Sequence, residues 1–252
     1  MGFIFRSYFL LSAHTSEANW RSNLFCFGNP PLEGLGEAAK KDAASIRAKL
    51  HVMQQAFEHL INLDHRFADI IALYGTPNIP RRPEGFESLC KIIFEQQVSL
   101  DSAKACFDKL NALLPEFTPE NILLCSDEQL RSCGLSRQKS SYIRALSEAI
   151  VSGSLNLSTL SEKSAYEVRA ELIKIKGIGN WTIDVYLMFC LQSPDVIPLG
   201  DIGIIITIKE LWNIQTPDEI AVLTNTWAPY RTAASFFLWH YYLKKRNRVI
   251  HM

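Results

Sequence analysis

The chain has 252 residues, 48% of them hydrophobic, and its 26 Lys and Arg balance its 26 Asp and Glu. That length supports one large domain, or two intimate lobes, around a sizeable core. A net charge of zero excludes a protein that grips polyanions by bulk charge and leaves room only for a local basic strip.

Residues 1 to about 36 lack periodicity and end in the Pro/Gly-rich GNPPLEGLG. The opening GFIFRSYFLLSA superficially resembles a secretory leader, but Arg6 interrupts its apolar run. Residues 1–52 therefore read as an N-terminal extension, or as the product of a start codon placed too early. No stretch approaches the roughly 20 apolar residues of a membrane span. The six cysteines form no CxxC pair and the histidines no HxxxH pair, which argues against a zinc site. Cys90, Cys106 and Cys190 fall in apolar helical patterns and are expected as buried, reduced thiols of a cytosolic protein.

From Met53 the stretch MQQAFEHLINLDHRFADIIALYG is amphipathic at helical spacing. A loop carrying Pro77, Pro80 and Pro83 follows. The next helix places Phe86, Leu89, Cys90, Ile93 and Gln97 on one stripe. Thr118 before Pro119 predicts a capped helix start. The segments Ser126 to Gln129, Ser164 to Glu167 and Thr216 to Glu219 spell capping boxes. Gly134 suits a helix end that needs left-handed backbone. No segment alternates like a strand, so the expected fold class is all-α, with about ten helices joined by short connections.

The stretch IKGIGNWT, Ile175 to Thr182, stands out. Ser164 starts a helix bearing Val168, Leu172 and Ile173, and another begins near Asn180. The short link forces a sharp reversal, which Gly177 and Gly179 permit. Bare amides at the start of the second helix make an anion site, and Lys174 and Lys176 add local positive charge. Taken alone, a GxG between helices is more often a plain connection.

Its context is more specific. LIKIKGIGNWTIDVYL (Leu172 to Leu187) is followed by DVIPLGDIGI (Asp195 to Ile204). Upstream stand FEQQVSL (Phe94 to Leu100) and GLSRQKSSYI (Gly134 to Ile143), and downstream WAPYRTAASFFLW (Trp227 to Trp239). Together, in this order, the segments resemble the helix-hairpin-helix DNA glycosylase superfamily, and its alkylpurine branch of the 3-methyladenine DNA glycosylase II type. The resemblance spans roughly Met53 to Lys245. It implies two helical lobes with a cleft between them, a central one of about residues 98–200 and a second from about 53–97 plus 201–245. Residues 53–252 would form the glycosylase domain.

The resemblance implies that Asp201 is the catalytic carboxylate and that Pro198 precedes it in the family's loop. A carboxylate near C1′ stabilises the oxocarbenium character that develops when an N-glycosidic bond breaks. Asp201 also precedes an apolar run, so the lesser reading is a helix N-cap, and the two roles are compatible. Asp184 and Asp195 are rival carboxylates, with Asp195 expected to be solvated in its loop. Members that also cleave the backbone carry a lysine at the position of Trp181, so the resemblance implies a monofunctional enzyme that leaves an abasic site.

Alkylated purines are cationic, and an aromatic face attracts a cation. Trp181 and Trp239 match two aromatic positions of the family's base pocket, although ordinary core packing explains either. A tyrosine expected at a third position is Val185 here; the neighbouring Tyr186 is turned about 100° around the helix, which leaves the pocket's shape open. Gln97 matches the side chain that enters the duplex when the base flips out, with Gln96 and Ser99 in support. The hairpin residues Lys174, Lys176, Gly177, Gly179 and Thr182 are the expected phosphate grip.

The resemblance leaves room for a monovalent cation on the carbonyls of Lys174, Lys176 and Gly179. It implies no iron–sulfur cluster, because no cysteine follows Cys190. The KKRNR tail, Lys244 to Arg248, reads chiefly as a solvated charge run. The expected partner is double-stranded DNA holding a damaged base, met by a monomer in the cytoplasm of a bacterium or the nucleus of a eukaryote. Two alternatives stay open: a glycosylase for another damaged base, and a non-catalytic DNA-binding protein.

Overall fold

The computed structural model describes residues 52–247. The expected extension lies outside the described residues except for Val52, as does Arg248 of the basic tail. Helix α1 covers residues 52–63 and α2 covers His65–Tyr74. The sequence reads as one amphipathic stretch here, but Asp64 breaks it. Asp64 is extended at φ −147°, and its side chain accepts from the Arg66 N–H to cap α2. A short carboxylate that satisfies helix-start donors competes with continuing the helix, and the Trp212 indole holds it at 2.8 Å.

Helix α3 (Phe86–Glu95) leads into α4 (Leu100–Leu113), capped by Ser99. Three helices follow: α5 (Pro119–Leu124), α6 (Asp127–Ser132) and α7 (Arg137–Val151). After a 3-10 turn at Leu157–Glu162 come α8 (Ala165–Leu172) and α9 (Asn180–Phe189), then α10 (Ile202–Trp212), α11 (Pro217–Asn225) and α12 (Arg231–Lys245). The capping boxes at Ser126, Ser164 and Thr216 all form, and Thr118 caps α5 ahead of Pro119. Gly134, at φ +90°, ends α6. No strand occurs among the described residues, and the fold is all-α.

The apolar faces collect into two clusters. The larger joins α3 to α9 through Leu89, Ile93, Leu130, Ile143, Leu172 and Leu187. The smaller joins α1, α2 and α10 to α12 through Leu60, Phe67, Ile208, Trp227 and Phe237. Full burial of one such side chain stabilises the fold by roughly 1.5–3 kcal/mol. Helix α12 is the seam, because Phe236 belongs to the larger cluster while the adjacent Phe237 and Leu238 belong to the smaller.

Helix α3 departs from the expected lobe division. Residues 88–90 and 92–95 are buried, and the helix packs on α4, α7 and α9. A helix apolar on more than one face has to be enclosed, so residues 86–95 side with the central cluster and not with the second lobe.

Candidate active site

Asp201 follows a loop in which its own N–H donates to the Pro198 carbonyl at 2.8 Å. Its Oδ1 accepts from the N–H groups of Gly203 (2.8 Å) and Ile204 (3.2 Å), capping α10. Oδ2 accepts from the Trp181 indole at 3.3 Å, and the Trp239 indole also hydrogen-bonds the carboxylate. A Cβ at Gly203 would crowd the site, lying 3.1 Å from Asp201 Oδ1 and 3.2 Å from the Tyr242 ring.

Asp201 is 1% exposed. Burial raises its pKa above the usual carboxylate value, against the hydrogen bonds from Trp239, Ile204, Trp181 and Gly203 that favour the ionised form. The cap and the indole contacts coexist because the two oxygens divide the work.

The rival carboxylates are each neutralised by an arginine. Asp184 is buried and pairs with Arg169. Asp195 was expected to be solvated, but Arg231 grips it with Nε and Nη2, both at 2.7 Å, and with its backbone N–H at 3.2 Å. Partial burial would raise the Asp195 pKa, but the Arg231 bonds outweigh it and the net shift is downward. Asp201 is held instead by neutral N–H donors.

Trp181 and Trp239 are both partly buried beside the larger cluster. The Trp239 ring leans on Phe189 at 5.7 Å and an interplanar angle of 34°. Tyr186 does not join them. It is fully buried, and its hydroxyl accepts from the Gly85 N–H at 3.0 Å. The one-residue shift relative to Val185 turns the tyrosine away from the indoles and into the core, which corrects its expected place in a base pocket.

The hairpin is built as the spacing predicts, with α8 ending at Leu172 and α9 opening at Asn180. The two glycines differ, however. Gly177 has φ +89°, and a Cβ there would lie 2.0 Å from Cγ of the Tyr142 ring. Gly179 has φ −96°, and nothing lies within 4 Å of the position a Cβ would take. Only Gly177 is required by the fold. Between them Ile178, 2% exposed, roots the turn in the larger core; neither periodicity nor the glycine pattern had singled it out. Helix α9 starts with no side-chain cap, so its first N–H groups have no side-chain acceptor, and Lys174 and Lys176 beside it are exposed.

Two expectations about the hairpin change. The Thr182 side chain is 1% exposed, and its Oγ1 accepts from Gln96 Nε2 at 2.9 Å, so it faces the protein and not an incoming phosphate. The Gly179 carbonyl accepts the first intrahelical bond from Ile183 at 3.1 Å and is aimed along α9, away from an external cation. Among the described residues no group of three or more His, Cys, Asp or Glu side chains could hold a metal ion.

At the end of α3 the helix stops two residues before the periodic stripe does. Gln97 is exposed in a turn, with φ +58°. That left-handed conformation is uncommon for a residue with a Cβ, and such strain gathers at functional positions. Gln96 points elsewhere, donating 2.9 Å to the Gly177 carbonyl as well as to Thr182; it is not an inserting residue. Lys139, on GLSRQKSSYI, donates 2.6 Å to the Phe94 carbonyl. Gln97, Ser102, Cys106, Gln138 and Lys139 line a hollow of about 250 Å³. Cys106 is thus partly exposed, unlike the buried Cys90 and Cys190. In the basic tail, Lys245 and Arg246 both pair with Glu210 and are not a free charge run.

Comparison with known proteins gives the family. The family model of the HhH-GPD superfamily base excision DNA repair protein matches residues 90–231. DNA-3-methyladenine glycosylase 1 of Schizosaccharomyces pombe is 33% identical over 193 residues, covering 72% of this chain and 84% of that protein. The solved structure of the S. pombe 3-methyladenine DNA glycosylase in complex with abasic DNA superposes with a TM-score of 0.66 at 31% identity, covering 73% of this chain and 95% of the other. A DNA-3-methyladenine glycosidase structure from Bacillus halodurans gives 0.65 at 33% identity, covering 74% of this chain and 88% of its own. With the matched segment running from α3 through the hairpin to the first residue of α12, the chain belongs to the HhH-GPD superfamily of base excision DNA repair proteins.

Proposed function

We propose that the protein is a monofunctional DNA glycosylase that flips an alkylated purine out of the duplex and hydrolyses its N-glycosidic bond, leaving an abasic site. One observation supports the reading: a buried carboxylate, Asp201, is held by neutral donors, among them the indole of Trp181 on the first turn of the uncapped helix after the hairpin. The names of the relatives in S. pombe and Bacillus subtilis, both DNA-3-methyladenine glycosylases, support the substrate class.

In this reading the open amides of α9, with Lys174 and Lys176, grip a backbone phosphate. The space beyond Gly179 lets that backbone approach closely. Gln97 fills the gap left by the flipped nucleotide, and its amide has donors and acceptors for the orphaned base. The C1′–N bond breaks with its electron pair going to the base, which leaves neutral because the lesion was cationic. Asp201 stabilises the positive sugar, water attacks C1′, and the water's proton passes to the carboxylate or to solvent. The indole faces of Trp181 and Trp239 favour the charged base by about 0.5–2 kcal/mol. Trp181 stands where a lyase would need a lysine, so the abasic strand stays intact. A monovalent cation on the carbonyls of Lys174 and Lys176 would strengthen the phosphate grip. Its substrate puts the enzyme with the cell's DNA, in a bacterial nucleoid or a eukaryotic nucleus.

The test is base release from methylated duplex DNA, with the freed base identified by chromatography, for wild type and Asp201→Asn. Release of 3-methyladenine or 7-methylguanine that falls about 10²–10³-fold in the variant is expected, the range typical of losing one electrostatic contributor to a transition state. Release of uncharged lesions only would overturn the alkylpurine assignment. Tight DNA binding with no release of any base would make the protein a non-catalytic binder.

A further inference from the structure

We propose that Gln96 is a positioning residue that fixes the hairpin relative to Gln97, so that the phosphate grip and the inserting side chain act as one rigid unit; the inference rests on the glycosylase reading for its consequence, not for its geometry. The carboxamide nitrogen of Gln96 has two hydrogens. One goes to the Gly177 carbonyl and one to Thr182 Oγ1, both at 2.9 Å. The orientation of the amide is set by chemistry, because a backbone carbonyl only accepts, and reversing the amide would put oxygen against oxygen. A single side chain thus ties the apex of the hairpin and the first turn of α9 to the residue next to Gln97.

The apex is also packed against α7. The Tyr142 ring lies where a Gly177 Cβ would be, and its hydroxyl is held by Gln138 at 2.6 Å. Lys139, on the same turn of α7, holds the Phe94 carbonyl at the end of α3. Three elements that are far apart in sequence therefore meet around residue 177, with Gln96 on its carbonyl and the Tyr142 ring against its Cα. The arrangement explains why Gln96 bonds inward while Gln97 projects outward. With α3 ended at Glu95 and Gln97 left-handed, consecutive side chains leave the turn in different directions.

The test compares wild type, Gln96→Met, Gln97→Ala and the double variant. Methionine keeps the length of the side chain and removes both donors. Two readouts are taken: amide hydrogen exchange of residues 177–182 in the free protein, and single-turnover excision alongside the fluorescence of 2-aminopurine placed next to the lesion. Gln96→Met should speed exchange across the hairpin about tenfold, the scale of one or two net hydrogen bonds. It should slow flipping and excision to a similar degree, and the double variant should be little slower than Gln97→Ala, because coupled residues are non-additive.

Unchanged exchange, or excision losses that simply multiply, would overturn the inference. If wild type excises nothing, the function fails while the exchange result still decides the bracket. If Gln96→Met does not fold, Thr182→Val removes one acceptor at constant shape, and a smaller exchange increase confined to residues 177–182 is the outcome that keeps the inference; no change sinks it.

Discussion

A carboxylate at the start of a helix satisfies backbone N–H groups with one oxygen and keeps the other for a different partner. In Asp201 the second oxygen meets an indole N–H, and burial and hydrogen bonding pull its pKa in opposite directions, with burial prevailing. The sign has a kinetic consequence. The active form is the ionised one, so excision falls as pH drops through the raised pKa, and the acid limb should lie above the ordinary value of 3.8. Trp181→Phe keeps a ring and removes a donor that favours ionisation. Its acid limb should move to higher pH, while at alkaline pH the excision rate falls roughly 10- to 100-fold, the scale of one hydrogen bond to a charged group. A pH profile of single-turnover excision checks both, and a limb shifted to lower pH would show that the indole does not stabilise the carboxylate.

At the scale of the element, the hairpin separates two reasons for using glycine. Gly177→Ala puts a Cβ into the Tyr142 ring and imposes a left-handed backbone on alanine. It should cost roughly 2 kcal/mol or more, read as a lower midpoint in chemical denaturation. Gly179→Ala meets nothing in the protein, so its stability should stay within about 0.5 kcal/mol of wild type while DNA affinity falls; a duplex-binding titration distinguishes the two.

Helix α3 carries a second element-level consequence. Glu95 is buried, which pushes its pKa up to about 7 against the Arg82 guanidinium 2.8 Å away. A carboxyl whose folded pKa exceeds its unfolded value near 4.5 stabilises the fold fully below 4.5 and loses that contribution as pH rises through 7. Denaturation midpoints should therefore fall between pH 5 and 8 in wild type more than in Glu95→Gln.

For the whole molecule, neutrality sets how DNA is held. With 26 positive and 26 negative side chains there is no broad attractive field, so binding has to come from a few local contacts. Each lysine–phosphate contact contributes about 0.9 to the slope of log affinity against log salt. Replacing Lys174 and Lys176 by alanine should reduce that slope by about 2. A change near zero, measured by titration at several salt concentrations, would remove these lysines from the interface. Stability depends on α12, whose neighbouring residues Phe236 and Phe237 serve different clusters; the indole at Trp239 and the carboxylate at Asp201 meet because that helix joins the two.

How much of this was legible beforehand follows from the range of the forces involved. Helix starts are local hydrogen-bond problems, so Ser126, Ser164 and Thr216 declared their capping boxes within four residues of sequence. The hairpin and Asp201 stood out because their residue types and order are specific. Where two rules operated at close range, as at Asp64 and Gln97, periodicity overran the true helix ends. Long-range contacts left no such trace: Arg231 on Asp195, Gln96 on Thr182, Tyr142 against Gly177 and Gly85 on Tyr186 join positions distant in the chain. The sequence by itself determined the all-α class, the helix caps and the glycine-bearing turn between two helices. Only the tertiary structure decided which carboxylates are neutralised, which glutamine faces outward and which aromatic stands beside Asp201, because those outcomes depend on what packing brings within about 3 Å.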